Sequence, residues 1–140
     1  MRQILLFAAL AASLALLSGC ALSRAKEDKA EDMTGKAAYH KISAEEAYEM
    51  MASQEVVVVD VRTREEYDGG HIENAVLVPN ESIGSEMPEM LPDKDATLLV
   101  YCRSGRRSKD AAEKLLALGY QSVYDFGGVI DWPYELVKEG

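Results

Sequence analysis

The chain has 140 residues, two cysteines and a formal net charge of −9. This length has room for one folded domain, which can bury a core without disulfides. Its 48% hydrophobic and 28% charged residues are typical of a globular protein. The acidic balance excludes a general nucleic-acid-binding protein, which needs a basic surface. Two cysteines exclude a disulfide-rich scaffold and allow at most one bridge.

The first twenty residues have the pattern of an export signal. Arg2 is followed by an apolar run over residues 4–17, which is too short to span a bilayer comfortably and suits a signal peptide. The run ends in Leu17-Ser18-Gly19-Cys20, which resembles the lipobox of bacterial lipoproteins. The resemblance implies cleavage after residue 19 and lipid attachment to the Cys20 thiol. A plain secretory signal or an uncleaved anchor is the alternative.

From this segment we expect the domain organisation and the location of the protein. Residues 1–19 are the predicted signal peptide, residues 20–38 a lipidated flexible tether, and residues 39–140 the folded domain. The tether alternates charges of both signs and has few large apolar residues, so it has little to pack. The protein is expected to be extracytoplasmic and anchored by lipid to a bacterial membrane. Ala21 after the cysteine favours the periplasmic face of an outer membrane.

The folded part reads as alternating strands and helices. A Ser-x-x-Glu capping box at Ser43 opens a helix that runs through Met51, and four consecutive valines mark a strand buried on both faces. The predicted strands cover residues 39–42, 56–59, 75–78, 97–101 and 122–124. A helical segment and loop, broken at Pro88 and Pro92, is predicted over residues 81–91. Further helices are predicted over residues 108–118 and around Trp132, after a turn at Gly127-Gly128. This alternation predicts an α/β fold with a parallel sheet covered by helices on both faces, and a ligand site beyond the carboxyl ends of its strands.

One loop combines a cysteine with a cluster of positive charge. The sequence Cys102-Arg-Ser-Gly-Arg-Arg-Ser108 follows a buried strand and precedes a helix. Nearby cations and a helix start favour the thiolate, and Gly105 lets successive amides turn inward as an anion-binding nest. A buried structural cysteine beside a solvated basic turn is the alternative. Three arginines within five residues of an acidic chain favour a reactive Cys102.

The number of cysteines supports this hypothesis. If Cys20 carries lipid, Cys102 is the one free thiol of the mature chain. An exported protein that keeps a single unpaired cysteine usually needs its reactivity. Without a second cysteine to resolve it, an intramolecular dithiol cycle is excluded. Likewise, no cysteine and histidine spacing in the sequence matches a zinc site.

Several segments together resemble the single-domain rhodaneses, a family of sulfurtransferases. They are Val-Val-Val-Val-Asp-Val-Arg-Thr-Arg-Glu-Glu-Tyr at residues 56–67, Gly-His-Ile-Glu-Asn-Ala at residues 70–75 leading to Pro79, the loop of residues 101–108, and Gly127-Gly128 followed by Trp132. The resemblance implies a rhodanese-like fold with a five-stranded parallel sheet and helices on both faces. It also implies transfer of a sulfane sulfur from an anionic donor such as thiosulfate to cyanide or a thiol, without a cofactor or metal.

The resemblance assigns roles residue by residue. Cys102 becomes the nucleophile that carries the persulfide, and Asp60 and Arg62 support the site. Arg103, Arg106 and Arg107 are expected to attract the donor, and the backbone amides of the loop are expected to hold the outer sulfur. The expected substrate-binding residues are therefore those of the loop: Arg103, Ser104, Gly105, Arg106, Arg107 and Ser108.

Two other functions compete with sulfur transfer. Cysteine phosphatases and arsenate reductases on this fold use Cys-x5-Arg, whereas here the sixth position after the cysteine is Ser108 and Arg107 stands at the fifth. The shorter loop suits a single sulfur atom better than a phosphate. Rhodanese-like modules that only bind a partner generally lack the cysteine that is present here.

Overall fold

The computed structural model describes residues 37–139. The predicted signal peptide, Cys20 and the tether up to residue 36 lie outside the described residues, so their assignments remain predictions. Within residues 37–139, no helix combines the length and the apolar character that crossing a membrane requires.

Five parallel strands form the centre of the domain. They are β1 (Ala38–Lys41), β2 (Val57–Asp60), β3 (Val76–Leu77), β4 (Thr97–Cys102) and β5 (Ser122–Gly128). Their order across the sheet is β1-β5-β4-β2-β3, and every neighbouring pair is parallel. The predicted five-stranded parallel sheet is therefore confirmed.

Within the described residues, three α-helices and one short turn of 3₁₀ helix connect the strands, and a second 3₁₀ turn follows β5. The helices are α1 (Ala44–Ser53), α2 (Arg64–Asp68) and α3 (Arg106–Ala117), and the 3₁₀ turns cover Asn80–Ser82 and Val129–Asp131. Side-chain capping explains where α1 begins, since the Glu46 amide donates to the Ser43 hydroxyl and Glu46 accepts from the Ser43 amide. Thr63 and Glu66 form the same reciprocal pair before α2.

The core lies on both faces of the central strands. Alternate residues of β4 point to opposite faces, so Leu98 and Val100 pack with Leu115 of α3, whereas Leu99 and Tyr101 pack on the other side. That second side is covered by α1 and α2, which contribute Ala47 and Tyr67. Burial on both faces accounts for the continuous apolar strands in the sequence.

Several local predictions were wrong or shifted. The helical part predicted within residues 81–91 is only the 3₁₀ turn Asn80–Ser82, and the predicted loop follows it, where Pro88 and Pro92 prevent helical hydrogen bonding. Gly127-Gly128 ends strand β5 instead of forming a turn, and the final helix is the single 3₁₀ turn Val129–Asp131, with Trp132 after it. Helix α3 begins at Arg106, two residues before the predicted start.

Candidate active site

Cys102 is the last residue of strand β4 and lies at the carboxyl edge of the sheet. Its side chain is buried, with 1% of the residue exposed, and it is the free cysteine within the described part of the chain. The chain then turns at once, because Gly105 takes a left-handed conformation with φ of 102° and α3 begins at the next residue. The turn brings the Gly105 amide within 3.0 Å of the Cys102 Sγ atom.

The loop offers several hydrogen-bond donors to the Cys102 sulfur. Burial by itself raises the pKa of the Cys102 thiol, because it disfavours the charged form. The backbone amides of Ser108, Gly105 and Ser104 act in the opposite direction, and the hydrogen bonds of the loop together outweigh burial. The net pKa of Cys102 therefore lies below its usual value, which is the condition for a nucleophilic thiolate.

Gly128 makes room for this loop from the neighbouring strand. It pairs with Cys102 across the sheet, at a point where the register between β4 and β5 shifts. A Cβ atom on Gly128 would overlap the Arg103 carbonyl group and lie 2.5 Å from the Ser104 Cα atom. The loop can therefore occupy its position only because residue 128 has no side chain.

The structure divides the three loop arginines into two groups. Arg107 donates two hydrogen bonds to the Glu66 carboxylate, with N–O distances of 2.8 and 2.9 Å. Arg103 and Arg106 are exposed and form no ion pair within residues 37–139. All three line a surface cavity of about 640 Å³ beside the loop, which Glu81 and Asp110 also line, so two unpaired cations and two carboxylates face it.

Asp60 and Arg62, predicted to support the site, form a buried ion pair behind it. The Arg62 guanidinium lies 2.6 Å from Asp60 Oδ2 and also donates to the Gly70 carbonyl. The Tyr101 hydroxyl donates to the same Asp60 oxygen at 2.6 Å, and burial raises the pKa of Tyr101. This pair therefore connects the ends of β2 and β4.

Two polar side chains of the site were missed by sequence reasoning. Glu66 is not among the predicted site residues, although the Thr63-x-x-Glu66 capping box is a local sign of its position. Asp125 was not singled out, yet it is buried in β5 and accepts a hydrogen bond from the Ser108 hydroxyl at 2.7 Å. Nothing in its sequence neighbourhood indicates that contact, since the two residues are 17 positions apart.

Between residues 37 and 139, no group of three or more histidine, cysteine, aspartate or glutamate side chains is placed to hold a metal ion.

A buried cysteine inside a loop of amides, at the carboxyl end of a parallel sheet, defines an α/β protein with a candidate reactive thiol. Residues 43–133 match the model of the rhodanese-like domain. The chain belongs to this family, as the sequence motifs indicated.

Individual relatives agree with this family assignment. The chain is 34% identical over 104 residues to a tRNA uridine(34) hydroxylase from Photorhabdus laumondii, and the match covers 71% of this chain and 30% of that protein. A solved structure described as rhodanese with anions, from E. coli, is 34% identical with a TM-score of 0.56, covering 61% of this chain and 100% of that one. A human single-domain sulfurtransferase is 25% identical with a TM-score of 0.59, covering 66% and 93%. The chain spans about 30% of the length of the curated relatives that it matches.

Proposed function

We propose that the protein is a sulfurtransferase that moves a sulfane sulfur from thiosulfate, or a similar anionic donor, to cyanide or a thiol. The observation that carries the proposal is the Gly105 amide, 3.0 Å from the Cys102 sulfur within a loop of donors. Such donors stabilise the thiolate before the reaction and the terminal sulfur anion of a persulfide after it. The unpaired Arg103 and Arg106 attract the anionic donor.

In the first step, the Cys102 thiolate attacks the outer sulfur of thiosulfate. A bond forms between the Cys102 sulfur and the transferred sulfur, while the sulfur–sulfur bond of thiosulfate breaks. Sulfite leaves with the electron pair of that bond, and Cys102 becomes a persulfide anion. No proton and no external oxidant is needed, because three negative charges stand on each side of the step.

In the second step, the acceptor attacks the terminal sulfur of the persulfide. With cyanide the product is thiocyanate, and with a thiolate it is a new persulfide on the acceptor. The bond between the two sulfur atoms breaks, and its electron pair returns to Cys102 as the thiolate. The same loop amides stabilise the leaving thiolate, so the site returns to its starting state.

Loop length separates this proposal from phosphate or arsenate chemistry. A Cys-x5-Arg loop places its arginine six positions after the cysteine, where this chain has Ser108, whose side chain is buried and donates to Asp125. Arg107, one position earlier, is held by Glu66. Neither residue supplies the free guanidinium that clamps a tetrahedral oxyanion.

The activity in the name of the Photorhabdus relative is not part of the proposal. That protein is about three times longer than the shared segment, which covers 30% of it. A net charge of −9 also disfavours binding of a polyanion such as tRNA.

Intact-mass measurement of the purified protein after incubation with thiosulfate tests the proposal. We expect a gain of one sulfur atom, its loss on addition of cyanide, and no gain in Cys102→Ser. Hydrolysis of an aryl phosphate without any sulfur gain would instead identify a phosphatase. If neither reaction occurs with folded protein, the domain is a binding module and the proposal is wrong.

We also propose that Cys20 anchors the protein to a membrane by lipid, with the domain outside the cytoplasm at the periplasmic face of the outer membrane. The proposal depends on the Leu17-Ser18-Gly19-Cys20 motif for the anchor and on Ala21 for the outer membrane. Several acyl chains hold a protein stably, whereas one chain is marginal. Cys20→Ala should move the protein out of the membrane fraction, and unchanged membrane retention would contradict lipidation.

A further inference from the structure

The carboxylate of Asp125 is a buried group that the proposed reaction does not use. The residue is 1% exposed and belongs to strand β5, beside the strand that ends at Cys102. Burying a carboxylate is costly unless donors surround it. Here four donors contact it, and the only cation among them is Lys41, whose Nζ lies 3.2 Å away and whose side chain is half exposed.

The two oxygens of this carboxylate face different parts of the fold. Oδ2 accepts from the Tyr39 hydroxyl at 2.7 Å and lies near Lys41, both in β1. Oδ1 accepts from the Ser108 hydroxyl at 2.7 Å and from the Gly127 amide at 2.9 Å. Asp125 therefore joins the edge strand on one side to the structure beneath the cysteine loop on the other.

Both Oδ1 partners control the shape of the cysteine loop. Ser108 stands in the first turn of α3, and its amide is one of the donors to the Cys102 sulfur. Gly127 packs directly under Gly105, since a Cβ atom built on Gly105 would lie 3.5 Å from the Gly127 Cα atom. A shift of either partner would move the amides that surround the sulfur.

Fold stability alone does not require a carboxylate here. Well-packed apolar residues often stabilise a buried position as well as an ion pair does. The Ser108 hydroxyl has a single proton, and the 2.7 Å distance to Asp125 assigns that proton to the carboxylate. The bond thus fixes the direction of Ser108, whose backbone faces Cys102.

We propose that Asp125 is a positioning residue for Cys102, which holds Ser108 and Gly127 so that the loop amides converge on the sulfur. The inference rests on the proposed function only in taking Cys102 as the reactive thiol. The test measures alkylation of Cys102 by iodoacetamide without any sulfur donor, so a failure of sulfur transfer would not affect it.

The alkylation rate is measured against pH in the full-length protein and in two variants of Asp125. Asp125→Ala removes both Oδ1 bonds, so the midpoint of the pH profile should rise by about one unit, and the rate at pH values well below the midpoint should fall about tenfold. Asp125→Asn keeps an oxygen that accepts the same two bonds, and it should restore a midpoint close to that of the original protein.

Tyr39→Phe is the matched control. It removes a bond to Oδ2 on the β1 side, so it should lower the melting temperature and leave the alkylation midpoint unchanged.

If Asp125 acted only through its negative charge, both variants of Asp125 would lower the midpoint, because a repelling anion near the thiolate would be lost. That result would overturn the proposal, as would a lower melting temperature in Asp125→Ala with an unchanged midpoint.

A second variant covers the case in which Asp125→Ala does not fold. Ser108→Ala leaves the carboxylate with its partners Tyr39, Lys41 and Gly127, and removes the hydroxyl that ties α3 to it. The proposal expects the same upward shift of the Cys102 midpoint. An unchanged midpoint in folded Ser108→Ala would overturn it.

Discussion

Arg107 and Glu66 form a two-bond ion pair that ties the first turn of α3 to α2. The distances are 2.8 Å from Nη1 to Oε2 and 2.9 Å from Nη2 to Oε1. Such paired bonds fix the orientation of both groups as well as stabilising them. The pair therefore supports the cysteine loop from outside, and its charge is already neutralised before any anion arrives.

This pair predicts an acid-dependent contribution to stability. The hydrogen bonds from Arg107 lower the pKa of Glu66 from 4.5 to about 2. A carboxylate with a lowered pKa in the folded state stabilises the fold above its unfolded pKa and loses this contribution as the pH falls through the folded one. Glu66→Gln should therefore reduce the free energy of unfolding by about 1 kcal/mol at pH 6, with the difference disappearing between about pH 4.5 and pH 2.

Urea unfolding at a series of pH values measures this difference. Glu65→Gln is the matched control, because Glu65 is exposed and belongs to the same helix. If the free energy of unfolding of Glu66→Gln changes with pH in the same way as that of the original protein, the prediction is wrong.

The division of the loop arginines predicts unequal effects on donor binding. Arg103→Ala or Arg106→Ala should raise the KM for thiosulfate several-fold, and the increase should shrink at high ionic strength, because exposed charges are screened by salt. Steady-state kinetics at low and high salt provide the measurement. Lys109→Ala removes an exposed charge from α3, the helix that contains Arg106, and should change the KM for thiosulfate little. An equal effect of all three variants would show that overall charge, not this site, attracts the donor.

The contact between Gly128 and the loop predicts a severe effect of a single methyl group. In Gly128→Ala the new Cβ atom overlaps the Arg103 carbonyl, so either the fold loses about 3 kcal/mol or more, or the loop moves. A moved loop takes its amides away from the sulfur and should raise the midpoint of the alkylation pH profile, whereas a destabilised fold should show a lower melting temperature. Gly84→Ala is the control, since a Cβ atom there meets nothing within 4 Å. Normal melting and normal alkylation in Gly128→Ala would contradict the close approach.

The buried pair of Asp60 and Arg62 predicts a large loss of stability. Arg62→Met leaves the Asp60 carboxylate buried without its cation, and such a change costs about 3–5 kcal/mol. The exposed arginine of the pair Arg64–Asp68 offers the comparison, because Arg64→Met should cost less than about 1 kcal/mol. Chemical denaturation of both variants distinguishes them, and equal losses would argue against a buried role for Arg62.

The sequence alone determined the features that depend on neighbouring residues. The run of valines before Asp60 and the alternating elements predicted a parallel sheet, because burial on both faces demands continuous apolar strands. The loop that begins at Cys102 predicted an anion-binding turn, since a glycine and a helix start lie within a few positions of the thiol. Short patterns of this kind depend only on neighbouring residues, so they can be recognised without knowing which distant residues are in contact.

Only the tertiary structure decided which distant residues complete the site. Glu66 reaches Arg107 across 41 positions of sequence, and Asp125 reaches Ser108 because β5 lies next to β4 in the sheet. The sequence also predicted a turn at Gly127-Gly128, whereas the sheet requires Gly128 as a strand residue without a side chain, opposite Cys102. Strand order and register determine these contacts, and both result from packing of the whole core rather than from any local preference of the chain.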